Sequence, residues 1–324
     1  MTKAIRFHQT GGPEVLVYED VQIGSPGVGQ ALVRNKVIGL NFIDTYHRSG
    51  LYPLPLPHGV GMEASGVVEA VGGGVTNVVP GDRVAYCAGP PGAYSEERII
   101  AADRLVRLPS SIEHEEAAAA MLKGLTVWYL TRRTYRVNPG ETVLFHAAAG
   151  GVGLIACQWL KALGAKVIGT VGSDEKAEIA KANGCDHTIV YTRENFEERV
   201  MEITDGQKVP VVYDSVGKDT FRGSLKCLKP RGLMCVFGNG SGPVEDFDLN
   251  ELAGAGSLYV TRPTLMTYTA ARADLIEGAS DLFSLVESGE IKIDIHQTYG
   301  LSDAEQAHRD LEGRKTTGST ILIP

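Results

Sequence analysis

One stretch constrains what this chain can fold into more than any other: Glu141 to Gly153, which reads E-T-V-L-F-H-A-A-A-G-G-V-G. Thr142 to Phe145 is a short apolar run, the pattern of a buried strand. Small residues follow, then Gly150, Gly151 and Gly153. From Val152 an apolar helical period begins, through Ile155, Ala156, Trp159, Leu160 and Leu163, and Gly164 ends it as a C-terminal cap would. A second apolar run, Lys166 to Val171, comes next. The order is strand, glycine turn, helix, strand. A helix N-terminus at such a turn offers unbonded N–H groups and a positive dipole end to a phosphate, and glycine lets a pyrophosphate approach the backbone. Ala149, Gly150, Gly151 and Val152 are therefore candidate cofactor-binding residues. The spacing is G-G-x-G and not the full G-x-G-x-x-G. Glycines alone could merely pack helix on strand, but the β-α-β setting is what a dinucleotide site requires.

Dinucleotide sites that take NAD usually carry an acid at the end of the second strand, to bind the ribose 2′-hydroxyl. Here that strand ends in Gly172-Ser173, with no acid at its tip. Asp174 and Glu175 lie just beyond and suit the first turn of the next helix. Lys176 follows. Two small residues and a nearby cation suit a 2′-phosphate, so the reading is NADPH, with Gly172, Ser173 and Lys176 at the phosphate and Tyr191, at the end of the next strand, beside it.

The whole chain of 324 residues reads as two domains of ordinary globular composition, 43% apolar and 22% charged. A net charge of −8 argues against a nucleic-acid or membrane-surface role. No long apolar run and no signal-peptide pattern is present, which predicts a soluble cytoplasmic protein. Five scattered cysteines without C-x-x-C suggest reduced thiols.

The first ~120 residues look mostly β. Strands are expected at Lys3–Phe7, Val15–Glu19, Ala31–Gly39, Gly66–Val71, Arg83–Cys87 and Tyr94–Ile100, with a short helix at Phe42–Arg48. Leu51 to Pro57 alternates prolines and is extended. Glu113–Met121 reads as helix, interrupted at Gly124, with a second helix at Leu125–Tyr135 and a linker near 122–126. Beyond it strands and helices alternate to Phe237, which implies a parallel, doubly wound sheet whose ligands lie at the carboxyl ends of the strands. Those ends carry Ser215, Phe237 and Gly238 besides the residues above. Leu258-Tyr259-Val260 is expected to close the sheet as an edge strand. The tail, Ala270 to Pro324, is expected to return to the first domain.

Several motifs now stand together: Gly39-Leu40-Asn41-Phe42-Ile43-Asp44, Arg48-Ser49-Gly50, Gly81-Asp82-Arg83-Val84, Lys123-Gly124-Leu125-Thr126, His146 to Gly153, and Tyr213-Asp214-Ser215-Val216-Gly217. Over essentially its whole length the chain resembles the zinc-independent quinone oxidoreductases of the medium-chain dehydrogenase/reductase superfamily, the zeta-crystallin group. The resemblance implies an α/β architecture: a GroES-like mostly-β catalytic domain beginning at 1–124, a Rossmann NADPH-binding domain at 125–263, and a segment at 264–324 that completes the first. It implies a cleft between them. It puts Asn41, Tyr46 and Tyr52 near the nicotinamide, Asn41 bonding the carboxamide or the acceptor oxygen and either Tyr46 or, since a phenol is a weak acid near neutral pH, solvent as the proton donor. It adds Thr126, Arg262 and Arg314 as cofactor contacts. Asn41 could equally cap a helix, and either tyrosine could merely pack. His47, Arg48 and His58 are taken as solvated or structural.

Zinc-containing relatives supply a cysteine where this chain has Asn41, and Gly-His-Glu where it has Gly61-Met62-Glu63. Zinc sites are built from thiolate, imidazole and carboxylate, so no metal is expected. Without a Lewis acid, an acceptor that spreads charge by conjugation suits the site. NADPH-dependent quinone reduction is the leading expectation. Reduction of an enone or alkenal C=C bond is the alternative, and a non-catalytic nucleotide- or RNA-binding protein the third. An edge strand at Leu258 to Val260 needs covering, and the family dimerises through this domain, so a homodimer is expected.

Overall fold

The chain begins with β1 (Thr2–Phe7), β2 (Leu16–Val21) and β3 (Gln30–Leu40), then α1 (Phe42–Ser49), β4 (His58–Gly59), β5 (Glu63–Val71), β6 (Arg83–Tyr86), β7 (Glu97–Ala101) and β8 (Val106–Arg107). Alternation decides which side of β3 faces the core. Ala31, Val33, Asn35 and Val37 are buried, while Arg34 and Lys36 point to solvent. On the outer face Arg34 pairs with Glu69 and Glu97 of the strands on either side, each at 2.8 Å. Strand β7 is shorter than the expected Tyr94–Ile100. Tyr94 and Ser95 leave that strand because their backbone is taken by β1: the Ile5 N–H donates to Tyr94 O at 2.8 Å, and Ser95 bridges Ala4.

Helix α2 (His114–Tyr129) is continuous through Gly124 and ends in a π-helical turn over Leu130–Thr134. The expected interruption at Gly124 is thus corrected, and one helix replaces two. The glycine serves proximity: a Cβ there would stand 2.5 Å from the Leu282 side chain. Beyond it come β9 (Thr142–Phe145), α3 (Gly151–Ala162), β10 (Lys166–Val171), α4 (Asp174–Ala182), β11 (His187–Val190), α5 (Phe196–Ile203), β12 (Val209–Asp214), α6 (Phe221–Cys227), β13 (Leu228–Val236), α7 (Asn250–Gly254), β14 (Tyr259–Thr261) and α8 (Leu265–Tyr268). The strands form one six-stranded parallel sheet in the order β11-β10-β9-β12-β13-β14. Counted from β9 this is 3-2-1-4-5-6, the doubly wound order. Leu144, Ile168, Ile189, Val212 and Met234 are completely buried in its core, as apolar runs covered on both faces should be.

The tail supplies α9 (Arg272–Glu287), β15 (Ile295–Gly300), α10 (Ala304–Glu312) and β16 (Ser319–Ile323). Strand β16 pairs with β3, so the second sheet runs β15-β16-β3-β5-β6-β8, with β7 also on β3. A third, small sheet is β2-β1-β4. This computed structural model describes residues 1–324 and divides into two units, Met1–Leu125 with Tyr268–Pro324, and Thr126–Thr267. No helix is long and apolar enough to cross a membrane.

In the first unit a chain of buried polar groups fixes α1. The Arg48 side chain is only 2% exposed. It donates from Nε to Gly11 O at 3.1 Å, from Nη2 to Glu312 Oε1 at 2.7 Å and from Nη1 to His308 Nδ1 at 3.0 Å. Guanidinium only donates, so His308 Nδ1 accepts and the ring hydrogen sits on Nε2. That nitrogen faces Tyr94 Oη at 3.2 Å, and the Tyr94 hydroxyl donates to Asp44 Oδ2 at 3.0 Å. Burial, and then the neighbouring Arg48 charge, holds the His308 ring neutral, its pKa pushed down to about 3. Asp44 also receives the Asn41 N–H at 2.9 Å, closing a capping box at the start of α1. Both ends of the helix are therefore tied down.

Asp44 is completely buried and its Oδ1 has no partner. Burial pushes its pKa up from 3.8 to about 7, against the pull of the Asn41 and Tyr94 hydrogen bonds. Between those two values the folded chain keeps a proton that the unfolded chain has lost. Stability from this group is therefore full at low pH and declines as pH rises from about 4 to about 7. The histidines act oppositely, so the difference between wild type and Asp44→Asn isolates the carboxyl. Urea unfolding of both proteins should show wild type losing about 2 kcal/mol relative to the variant between pH 5.5 and pH 8.0. A difference independent of pH would refute the assignment.

Candidate active site

In the first unit Asn41 lies between β3 and α1, 5% exposed. Its Nδ2 donates to Glu63 Oε2 at 2.7 Å and faces Gly39 O at 3.5 Å. Glu63, at the start of β5, is completely buried and receives the Leu122 N–H on Oε1 at 2.5 Å. Lys123 Nζ stands 3.5 Å from Glu63 Oε2, its side chain 6% exposed. Burial pushes the Glu63 carboxyl above its usual range, opposed first by the Lys123 charge and then by the Asn41 bond. A buried carboxylate costs several kcal/mol unless paired and hydrogen-bonded, and here it is both. Glu63 and Lys123 were not singled out as site residues from sequence. The available signal was a lysine within the apolar run from Ala117 to Leu125 of an alanine-rich helix. Met62 is buried beside this cluster in sequence, and nowhere in the chain are three or more His, Cys, Asp or Glu side chains grouped so as to hold a metal ion.

Tyr46 and Tyr52 meet edge to face at 5.2 Å between ring centres, and Tyr46 also packs on Phe42 at 5.6 Å. The Tyr52 N–H donates to Tyr46 O at 3.0 Å, so the two rings form one unit at the end of α1. Neighbouring His47 stands edge-on to Tyr52 at 6.0 Å. Burial lowers its pKa to about 4, so the ring is neutral near pH 7. Arg48, taken as solvated or structural, is structural.

In the second unit the carboxyl ends of β9, β10, β12 and β13 gather Ala149, Gly150, Gly151, Val152, Gly172, Ser173, Ser215, Phe237 and Gly238. Three features suit a phosphate-bearing dinucleotide. First, α3 starts at Gly150 with no side-chain cap and no acid in its first turn, which leaves its leading N–H groups for an anion. The turn is tight, since a Cβ on Gly153 would lie 2.3 Å from Ala147 O. Second, Ser173 caps α4 by accepting the Lys176 N–H on Oγ at 3.3 Å, and its own hydroxyl hydrogen stays available to an acceptor. Third, the acid that follows is answered: Arg193 forks onto both oxygens of Asp174, each at 2.5 Å. Tyr191, 43% exposed, stands at the same tip, because a Cβ on Gly172 would meet its hydroxyl at 3.0 Å. Arg262 donates to Val236 O at 3.2 Å, at the end of β13 beside Phe237. Thr126 is buried in α2. Arg314 belongs to the first unit, just after α10, with a left-handed backbone (φ 58°).

Two family models match the chain: the alcohol dehydrogenase GroES-like domain over residues 27–110, and the zinc-binding dehydrogenase over residues 151–284. Asn41 and Met62 fall in the first of these. The quinone oxidoreductase of Pseudomonas aeruginosa is 58% identical over all of both chains. A 2-haloacrylate reductase of a Burkholderia species is 47% identical over all of this chain and 99% of its own. The crystal structure of Escherichia coli quinone oxidoreductase complexed with NADPH superposes with a TM-score of 0.98 at 54% identity, covering 99% of this chain and all of that one. With both domain models in place and full-length identity above one half, the chain belongs to the quinone oxidoreductases of the medium-chain dehydrogenase/reductase superfamily.

Proposed function

We propose that this protein reduces quinones with NADPH, by hydride transfer and without zinc. The observation that carries the reading is end-to-end identity to quinone oxidoreductases, one of them crystallised with NADPH. The cradle in the second unit fits that cofactor. The α3 N-terminus with Ala149 to Val152 would hold the pyrophosphate, and Gly172, Ser173, Lys176 and Tyr191 the 2′-phosphate. Ser215, Phe237, Gly238 and Arg262 line the neighbouring strand ends, and Thr126 and Arg314 are the further contacts the family suggests. NADPH, when bound, supplies the hydride, and a proton completes the hydroquinone.

The chain's own residues bind and orient. The Asn41 amide nitrogen donates to Glu63 and faces Gly39, and its oxygen meets the Asp44 N–H of the capping box, so toward the nicotinamide carboxamide it offers the remaining lone pair of that oxygen. Tyr46 and Tyr52 present an aromatic face to a flat acceptor, with the Tyr46 hydroxyl as its hydrogen-bond donor. Absence of zinc is supported by Asn41 and Met62 at the expected ligand positions and by the lack of any metal-holding cluster. Reduction of a conjugated C=C bond is the second reading, favoured by the identity to 2-haloacrylate reductase. The net charge of −8 weighs against nucleic acid as a partner. A cytoplasmic protein fits the lack of a membrane-spanning helix.

Oxidation of NADPH against a panel of quinones and enones tests the activity. Quinone turnover is expected, unaffected by a chelator. Turnover of enones alone would select the second reading, turnover of neither would reject both, and loss of activity with bound zinc would reject the metal-free site.

Cofactor preference tests the phosphate site. A charge-assisted hydrogen bond contributes about 1.5–3 kcal/mol, so Lys176→Ala should lower kcat/KM for NADPH about tenfold or more and leave NADH nearly unchanged. Equal loss with both cofactors would remove Lys176 from the site.

Strand β14 is the sheet edge, with Tyr259 63% and Val260 37% exposed. Pairing with a second copy about a two-fold axis would cover it. Sedimentation at micromolar concentration should give the dimer mass; a monomer would leave the edge unexplained.

A further inference from the structure

His146 is the last residue before the glycine turn, and it is completely buried. A buried imidazole is costly unless both nitrogens are bonded. Its Nδ1 lies 2.9 Å from Thr170 Oγ1, at the end of β10, and its Nε2 lies 2.8 Å from Ser224 Oγ, in α6. The directions of these bonds can be worked out. The Ser224 hydroxyl donates to Thr220 O at 2.8 Å, so toward the ring it can only accept. Nε2 therefore carries the hydrogen. Burial holds the ring neutral, with Asp214 pulling the other way. Nδ1 is then an acceptor, and the Thr170 hydroxyl donates to it.

That assignment frees Thr170 Oγ1 to accept, and the Ala147 N–H points at it, 3.4 Å away. Thr170 O takes the next N–H, of Ala148, at 3.0 Å. Ala147 has the left-handed backbone (φ 56°), which a residue with a Cβ adopts only when its surroundings impose it. Its carbonyl then accepts the Gly150 N–H at 3.0 Å, which sets the direction of the first turn of α3. Bonds run one way throughout: Ala147 to Thr170 to His146 to Ser224 to Thr220. Beyond Thr220, its hydroxyl donates to Asp214 Oδ2 at 2.8 Å, and Asp214 Oδ1 receives the Val216 and Gly217 N–H groups at 2.7 and 3.0 Å.

We infer that His146, as the Nε2–H tautomer, is a positioning residue for cofactor binding: acting through Thr170, it holds Ala147 left-handed and so aims the N–H groups of the glycine turn at the pyrophosphate. It touches no ligand itself. The inference rests on the reading of that turn as the NADPH site.

The two ends of the ring make separable predictions. His146→Asn keeps an acceptor where Nδ1 lies, and His146→Gln keeps a donor where Nε2 lies. If the Thr170 side holds the turn, Asn should bind NADPH within about threefold of wild type. Gln should bind about tenfold more weakly, the scale of one lost hydrogen bond. KM for NADPH should rise in parallel, with kcat at saturating NADPH kept. Thr170→Val should reproduce the Gln loss and Thr170→Ser should not, and this pair carries the test if a His146 variant fails to fold. Titration by NADPH fluorescence gives the affinities, and thermal melting gives stability separately. Equal weakening by Asn and Gln, or full affinity in Thr170→Val, would overturn the inference while leaving the site reading intact. Wild-type protein that binds no NADPH would overturn the site reading itself.

Discussion

The turn between β9 and α3 has to meet two opposed demands. In front, if it is to hold a phosphate as proposed, its N–H groups must stay unbonded within the protein. Behind, amides and carbonyls need partners, because the turn follows the buried residues Val143 to His146. The structure separates the two by direction. No side chain caps α3, whereas His146, Thr170 and Ser224 saturate the rear. The apolar core of the sheet, Leu144 and Ile168 among it, then holds those polar groups in register. A cofactor cradle of this kind depends on polar residues that never meet the cofactor.

Similar logic governs the other unit. Around Asn41 the buried charge is organised by Glu63 and Lys123. The buried Glu63 carboxyl has its counter-charge in Lys123, itself buried and 3.5 Å away. The amide of Asn41 is oriented by that pair, and the helix that follows is anchored at Asp44 and at Arg48. In each unit, position is thus set by directional hydrogen bonds between buried groups.

How much of this was legible in sequence depended on distance along the chain. The β9–α3–β10 turn was readable because its period, glycines and caps are all local. A parallel, doubly wound sheet followed from regular alternation, whereas the strand order came only with the structure. Gly124 was misread because helix propensity is local while its reason, Leu282, lies far away in sequence. Arg48 gave no sign of full burial, since its partner His308 is 260 residues on. Glu63 and Lys123 are likewise separated by 60 residues, and only the folded strand and helix bring them together. Asn41, Tyr46 and Tyr52 were reached by family resemblance alone; no spacing rule marks them.

The order of the strands has a consequence for how the protein is made. The six-stranded sheet is continuous in sequence, from β9 to β14, and the whole of it has been synthesised before α9 begins. The other large sheet is interrupted by that insertion, and β16, which lies between β15 and β3, consists of the last residues of the chain. His308 and Glu312, which hold Arg48, arrive equally late. On the ribosome, therefore, the second unit has its complete strand set while the first still waits with the Ile38–Leu40 end of one β3 edge open. The order of assembly is written into the connectivity: the nucleotide fold can close first, and the helix that carries Tyr46 is locked only once His308 and Glu312 have followed it.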